Sequence, residues 1–183
     1  MTRGLALART LGNDQALIRL LALASTQRTL EQIELEELTL ASIRSAAIAD
    51  GIALLGRYLP RHDDQTPAWK ALAELRERQG DVSGAVDAWR RVAADRGERI
   101  SATTRAADLL WRSDKREAAW GTLTALQPVP DAKSLDYWRM RADQAWETKR
   151  VSEAASAYRL LWSGGSADLL VAERLVLLTM QTR

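Results

Sequence analysis

An all-α protein made of stacked helix pairs is the fold class this sequence predicts, on three observations. Good helix formers, Ala and Leu above all, dominate the 183 residues, and only 4 Pro and 10 Gly interrupt them. Runs of β-branched residues are scarce. A spacing of 34 or 35 residues also recurs: Thr39, Gly51 and Leu55 are echoed by Ala73, Ala85 and Trp89, then by Ala107, Ala119 and Leu123, then by Ala142, Ala154 and Tyr158. Each copy holds a small residue, a second small residue twelve positions on, and a large apolar residue four beyond it. Small residues let two helices approach closely, and the large one fills the gap against the next pair.

Taken in chain order, residues 5–11 and 15–24 read as a degenerate hairpin with Gly12-Asn13 at its turn, a partial copy over 1–31. The acidic run "EQIELEELTL" reads as a solvated first helical turn, with Glu31 and Glu34 at the positive end of the helix dipole. It opens a copy over 32–65 that closes in the polar loop "PRHDDQTP", where His62, the single histidine, is expected in solvent. In the copy over 66–99, Thr66 reads as an N-cap followed by Pro67, and Gly80-Asp81 as a helix-ending glycine followed by a new N-cap. Asp114 and Glu117 have capping-box spacing in the copy over 100–134. A copy over 135–168 precedes "ADLLVAERLVLLTMQTR", which reads as the lone first helix of a further copy, 169–183. Its Leu169, Leu170, Leu175, Val176, Leu177 and Leu178 are expected to lack full cover within this chain, as in a segment of a longer array. About nine or ten antiparallel helices are expected in all.

The copy over 66–99 resembles the tetratricopeptide repeat: Trp69, Leu72, Ala73, Gly80, Ala85 and Trp89 stand at that motif's aromatic, Leu, small, turn, small and aromatic positions. Trp138, Ala142, Ala154 and Tyr158 fit in the last full copy, while Thr103 and Leu123 replace the aromatics in the copy between. The resemblance implies a right-handed α-solenoid in which Trp69, Trp89, Trp138 and Tyr158 are core. It also implies that positions 2, 5, 9 and 12 of each first helix line a groove. Those positions read Pro67, Lys70, Glu74 and Glu77, then Ser101, Thr104, Asp108 and Trp111, then Asp136, Arg139, Asp143 and Trp146. Lys70, Glu74, Asp108, Trp111, Arg139, Asp143 and Trp146 are therefore the candidate binding residues. Trp111 and Trp146 either stack on a ligand or simply pack on neighbouring helices. Trp120 and Trp162 fall outside the motif and read as inter-repeat packing or a helix end. The carboxylate clamp of chaperone-binding members is missing, because it uses Asn where this chain has Glu74, Asp108 and Asp143.

Composition bounds the chemistry. With 26 basic and 24 acidic residues interspersed, the net charge of +2 gives no electrostatic reason for a nucleic-acid partner. Cysteine is absent, which removes disulfides, thiolate chemistry and Cys-based zinc sites. No apolar run is long enough to span a bilayer, and "MTRGLALART" is not a secretory signal. Nucleophile, phosphate-loop and zinc-protease motifs do not occur, so no enzyme, metal or cofactor is expected. The leading expectation is a protein–protein interaction scaffold. Degenerate Ala/Leu/Arg-rich copies of this kind are similar to the periplasmic scaffolds of bacterial exopolysaccharide export systems, which implies recruitment of a polysaccharide-modifying enzyme. Direct binding of an amine-bearing glycan to the acidic, Trp-bearing groove and a cytoplasmic adaptor arm are the alternatives, and self-association through 169–183 is expected of its open apolar face.

Overall fold

The computed structural model describes residues 2–181. Among these residues eleven α-helices, rather than nine or ten, follow one another: α1 (Thr2–Thr10), α2 (Asp14–Gln27), α3 (Gln32–Arg44), α4 (Ile48–Tyr58), α5 (Thr66–Gln79), α6 (Val82–Val92), α7 (Arg99–Arg112), α8 (Arg116–Thr124), α9 (Leu135–Glu147), α10 (Val151–Ser163) and α11 (Leu169–Gln181). A 3-10 turn, Leu59–Arg61, extends α4. The chain forms two compact units, one through Asp95 and one from Arg96. In the first, the pairs are α1–α2, α3–α4 and α5–α6, with α3 packed on α2 and α5 on both α3 and α4. In the second, α7–α8 and α9–α10 are the pairs; α9 packs on both α7 and α8, and α11 on α10. Each unit is thus a short α-solenoid, in which a new first helix settles on the pair before it.

The turn inside each pair repeats a backbone device that the side chains disclose only in part. Gly12, Ala46, Gly80, Asp114 and Lys149 all have positive φ, between 56° and 84°. They stand 34, 34, 34 and 35 residues apart. After four of them the next N–H reaches back five residues, Asn13 to Ala8, Asp81 to Arg76, Lys115 to Leu110 and Arg150 to Ala145, at 2.8–3.0 Å. This is the left-handed helix ending that favours glycine, yet three of the five are not glycine. Asn13 and Asp81 then cap the second helix by accepting from Ala16 N and Gly84 N, at 3.0 and 2.9 Å. Ala47 and Lys115 stand at the same step and give α4 and α8 no side-chain cap. The capping box expected at Asp114 and Glu117 therefore does not form, because Asp114 is itself the left-handed turn residue and pairs with Arg116 at 3.0 Å. Likewise Gln65, not Thr66, is the N-cap of α5, which places Thr66 and Pro67 inside its first turn.

Packing follows the small-residue step. Ala73, Ala85, Ala107, Ala119, Ala142 and Ala154 are all fully buried. At Gly51 a Cβ would lie 2.5 Å from Ser42 Oγ and 2.7 Å from Leu75 Cδ1, so this copy needs glycine where the others carry alanine. Trp89, Trp138 and Tyr158 are core, whereas Trp69 is only half-buried. Trp69 instead shares with Trp138 a role in the preceding loop: their indole N–H groups donate to the carbonyls of Asp63 and Asp131, at 2.8 and 2.7 Å. Trp120 is partly buried against the core of the second unit, and Trp162 is 49% exposed. His62 stacks on Tyr58, with ring centroids 4.3 Å apart, and is half-buried rather than free in solvent.

Two further expectations are corrected. Glu34 is buried, not solvated: Arg28 grips both its oxygens at 2.7 and 2.6 Å, and Glu34 closes a capping box with Glu31. Its carboxyl is held below the usual range by that guanidinium hydrogen bond. On α11, Leu178 is buried and Leu175 partly buried against the second unit's own core, together with Val171. The open face is Leu169, Leu170, Val176, Leu177 and Met180.

Candidate partner-binding face

Lys70 and Glu74 stand one turn apart on α5 of the first unit, both half-buried and both engaged by neighbours. Glu77, one turn further, accepts the indole N–H of Trp89, so the twelfth position of this copy ties the first helix to the second. The remaining candidates belong to the second unit. On α7, Asp108 is mostly buried and accepts from Arg112 Nε at 3.0 Å; the half-buried Trp111 has the Arg116 guanidinium 5.1 Å from its ring centroid. On α9, Arg139 donates to Asp168 at 2.7 Å, and Asp168 also accepts from Leu170 N, which fastens the start of α11. That guanidinium holds the Asp168 carboxyl below the usual range.

Asp143 and Trp146 come together around one cation. Arg174 of α11 donates to Asp143 and to the Tyr158 hydroxyl, both at 2.6 Å, and its guanidinium lies 5.3 Å from the Trp146 centroid. The Tyr158 hydroxyl in turn donates to Asp143 at 2.7 Å. Burial first, and then this bond to a carboxylate, push the phenol's ionisation far up, so it stays a neutral donor. The acid at the ninth position thus docks α10 and α11 onto α9. Trp146 packs partly into the core of the second unit.

A more open face lies on α3. Ile33 and Leu40, two turns apart, are 59% and 53% exposed. Arg9 grips Glu37 between them with two bonds, at 2.8 and 2.7 Å, and a cleft of about 430 Å³ beside Ile33 is lined also by Leu5, Arg9, Arg28 and Glu34. This face was missed at the level of sequence, although the repeat positions could have found its two aliphatic residues, since Ile33 and Leu40 hold the second and ninth positions of the copy over 32–65; the Arg9–Glu37 pair has no such signal. Among the described residues no cluster of acids and histidine is placed to hold a metal, and no helix is long and apolar enough to cross a membrane.

Paired helices stacked in this register, with polar and apolar side chains presented by the first helix of each pair, define a helical-repeat protein. The chain belongs to the tetratricopeptide repeat family, which matches residues 92–183. Solved structures of similar fold include MamA AMB-1, at TM-score 0.59 and 19% identity over 93% of both chains. MamA from Desulfovibrio magneticus RS-1, from residue 41 to its end, gives TM-score 0.57 and 12% identity over 82% of this chain and 85% of that one. A thermophilic tetratricopeptide repeat protein of Thermus thermophilus gives 0.51 and 16% over 98% and 96%. At such identities the likeness is one of fold. No curated protein matches the chain.

Proposed function

We propose that the chain is a non-catalytic scaffold that docks another protein on the face of its first helices. The observation that carries this reading is the α3 face: two exposed aliphatic side chains, Ile33 and Leu40, beside the doubly bonded Arg9–Glu37 pair. Exposed aliphatic side chains with a fixed ion pair between them offer the apolar area and the ordered polar groups that protein interfaces combine. A sugar-stacking site needs open aromatic faces, and Trp111 and Trp146 each have a guanidinium over the ring, which favours protein over glycan as the ligand. The degenerate Ala/Leu/Arg-rich copies support a finer reading, a periplasmic array of a bacterial exopolysaccharide export protein of the PelB type that recruits a polysaccharide-modifying enzyme. Within that reading the open face of α11 is covered by a second copy of the chain.

The experiment titrates the polysaccharide-modifying enzyme and an amine-bearing oligosaccharide separately against the parent, Ile33→Ser/Leu40→Ser, and Trp111→Ala/Trp146→Ala. We expect the parent and the tryptophan variant to hold the enzyme, and the α3 variant to lose about tenfold or more, equivalent to roughly 1.4 kcal/mol. Saturable sugar binding that disappears with the two tryptophans would overturn the protein-scaffold reading.

A further inference from the structure

Between α2 and the end of α4 the first unit carries an open hollow of about 340 Å³, on the side built by second helices rather than the α3 face. Its floor is apolar. Leu54 and Tyr58 are buried beneath it, and Leu23, 51% exposed, forms its lip. Arg57, in the last turn of α4, and Arg61, four residues on, are its charged lining, and no carboxylate shares it. In the same unit Arg9, Arg28 and Arg44 each grip an acid. The side chains of Arg57 and Arg61, both exposed, make no hydrogen bond or ion pair among the described residues. Other polar groups of the lining are committed: the hydroxyls of Ser25 and Thr26 donate to the carbonyls of Ala22 and Leu23 at 2.7 Å. The Tyr58 hydroxyl accepts from Leu30 N and donates to Gln65.

We infer that this hollow docks an acidic peptide segment of a partner protein, with an apolar side chain entering between two carboxylates that Arg57 and Arg61 take. Guanidinium forks suit carboxylates, and two of them one helical turn apart match acids flanking a buried side chain. An apolar hollow of this size with a few polar groups at its mouth has the form of a small-ligand pocket, and a single large side chain fits within it. A polyhydroxylated glycan would leave the apolar floor unused, and a fatty acid carries one carboxylate where the site offers two cations. The inference rests on the scaffold reading only in that its occupant is a protein, and it concerns a different face.

The test uses the full 183-residue chain and two fluorescent peptides. One is extended, with Glu-Phe-Glu at its centre; the other is helical, with Glu one turn apart around Leu. Anisotropy is read at about 20 mM and about 300 mM salt, since screening weakens such contacts. At least one peptide is expected to saturate the protein at low salt and to weaken about tenfold or more at high salt. Arg57→Glu/Arg61→Glu, checked for parent-like circular dichroism, loses that binding. So does Leu23→Glu at the lip, and so do peptides with Lys for Glu or Ser for the apolar residue. Failure of both peptides to saturate up to about 1 mM overturns the proposal. Equal binding by the arginine variant, or displacement by laurate or a heparin oligosaccharide at lower concentration than by unlabelled peptide, does the same. Ile33→Ser/Leu40→Ser separates the two faces: it is expected to lose the scaffold partner and keep the peptide, and loss of the peptide as well would assign that binding to α3.

Discussion

Glu34 shows how much one side chain carries in this molecule. It caps α3, accepts both bonds of Arg28, and is nearly free of solvent. Because its folded carboxyl sits below its ordinary value of 4.5, the ion pair contributes fully above that value. The contribution is lost as pH falls through the lowered folded value. Glu34→Gln is expected to cost about 1 kcal/mol at neutral pH, and the gap between its thermal melt and the parent's closes as pH falls below the ordinary 4.5 and through the lowered folded value. A gap unchanged at low pH would mean that packing, not the charge, holds this corner. Alanine size matters at the same scale. Ala85 is fully buried between the helices of its pair, and Ala85→Leu is expected to lower stability by about 1 to 3 kcal/mol in denaturant titration.

At the scale of one helix pair, the turns invite a transplant. Gly80-Asp81 combines the left-handed residue with a side-chain cap, and Ala46-Ala47 stands one repeat earlier with neither glycine nor a capping side chain. Replacing Ala46 by Gly and Ala47 by Asp is expected to raise stability by about 1 to 2 kcal/mol, seen as a higher denaturant midpoint at unchanged slope. The last helix makes a second case. Val176 holds the register of Ala73, Ala107 and Ala142, which are fully buried, yet it is 58% exposed. The face that its counterparts turn to a second helix lies open on α11. The parent is therefore expected to associate with rising concentration in sedimentation runs and Leu169→Ser/Val176→Ser/Met180→Ser to stay monomeric, and a parent that is monomeric at every concentration would mean that no second copy covers this face. Leu175 and Leu178 are unsuitable for this test, because they serve the chain's own core.

At the scale of the whole molecule, contacts within each unit run from one pair to the next, so the stability of each unit is a sum of local pairs and their neighbours. Hydrogen exchange checks this directly. Ala154→Leu, in α10, is expected to deprotect α9, α10 and α11 while the amides of α1 to α4 exchange as in the parent. Uniform loss of protection would mean that the 183 residues unfold as one cooperative body.

The helix pairs, their 34-residue step and the alanines at their contacts were all readable from the chain, because residue size and spacing are written along it. The turn at Gly80-Asp81 was readable for the same reason. What the tertiary structure decided was the use of each polar group. Asp143 reads as a groove acid until Tyr158 and Arg174, 15 and 31 residues away, fold onto it. Ala46, Asp114 and Lys149 reveal their left-handed backbone only when placed in the turn. Glu34 reads as solvated until Arg28 and the surrounding helices close over it. A local pattern specifies where a helix begins and which side it buries, but the partner of a charge depends on residues that only packing brings near, and that choice leaves no periodic trace in the chain.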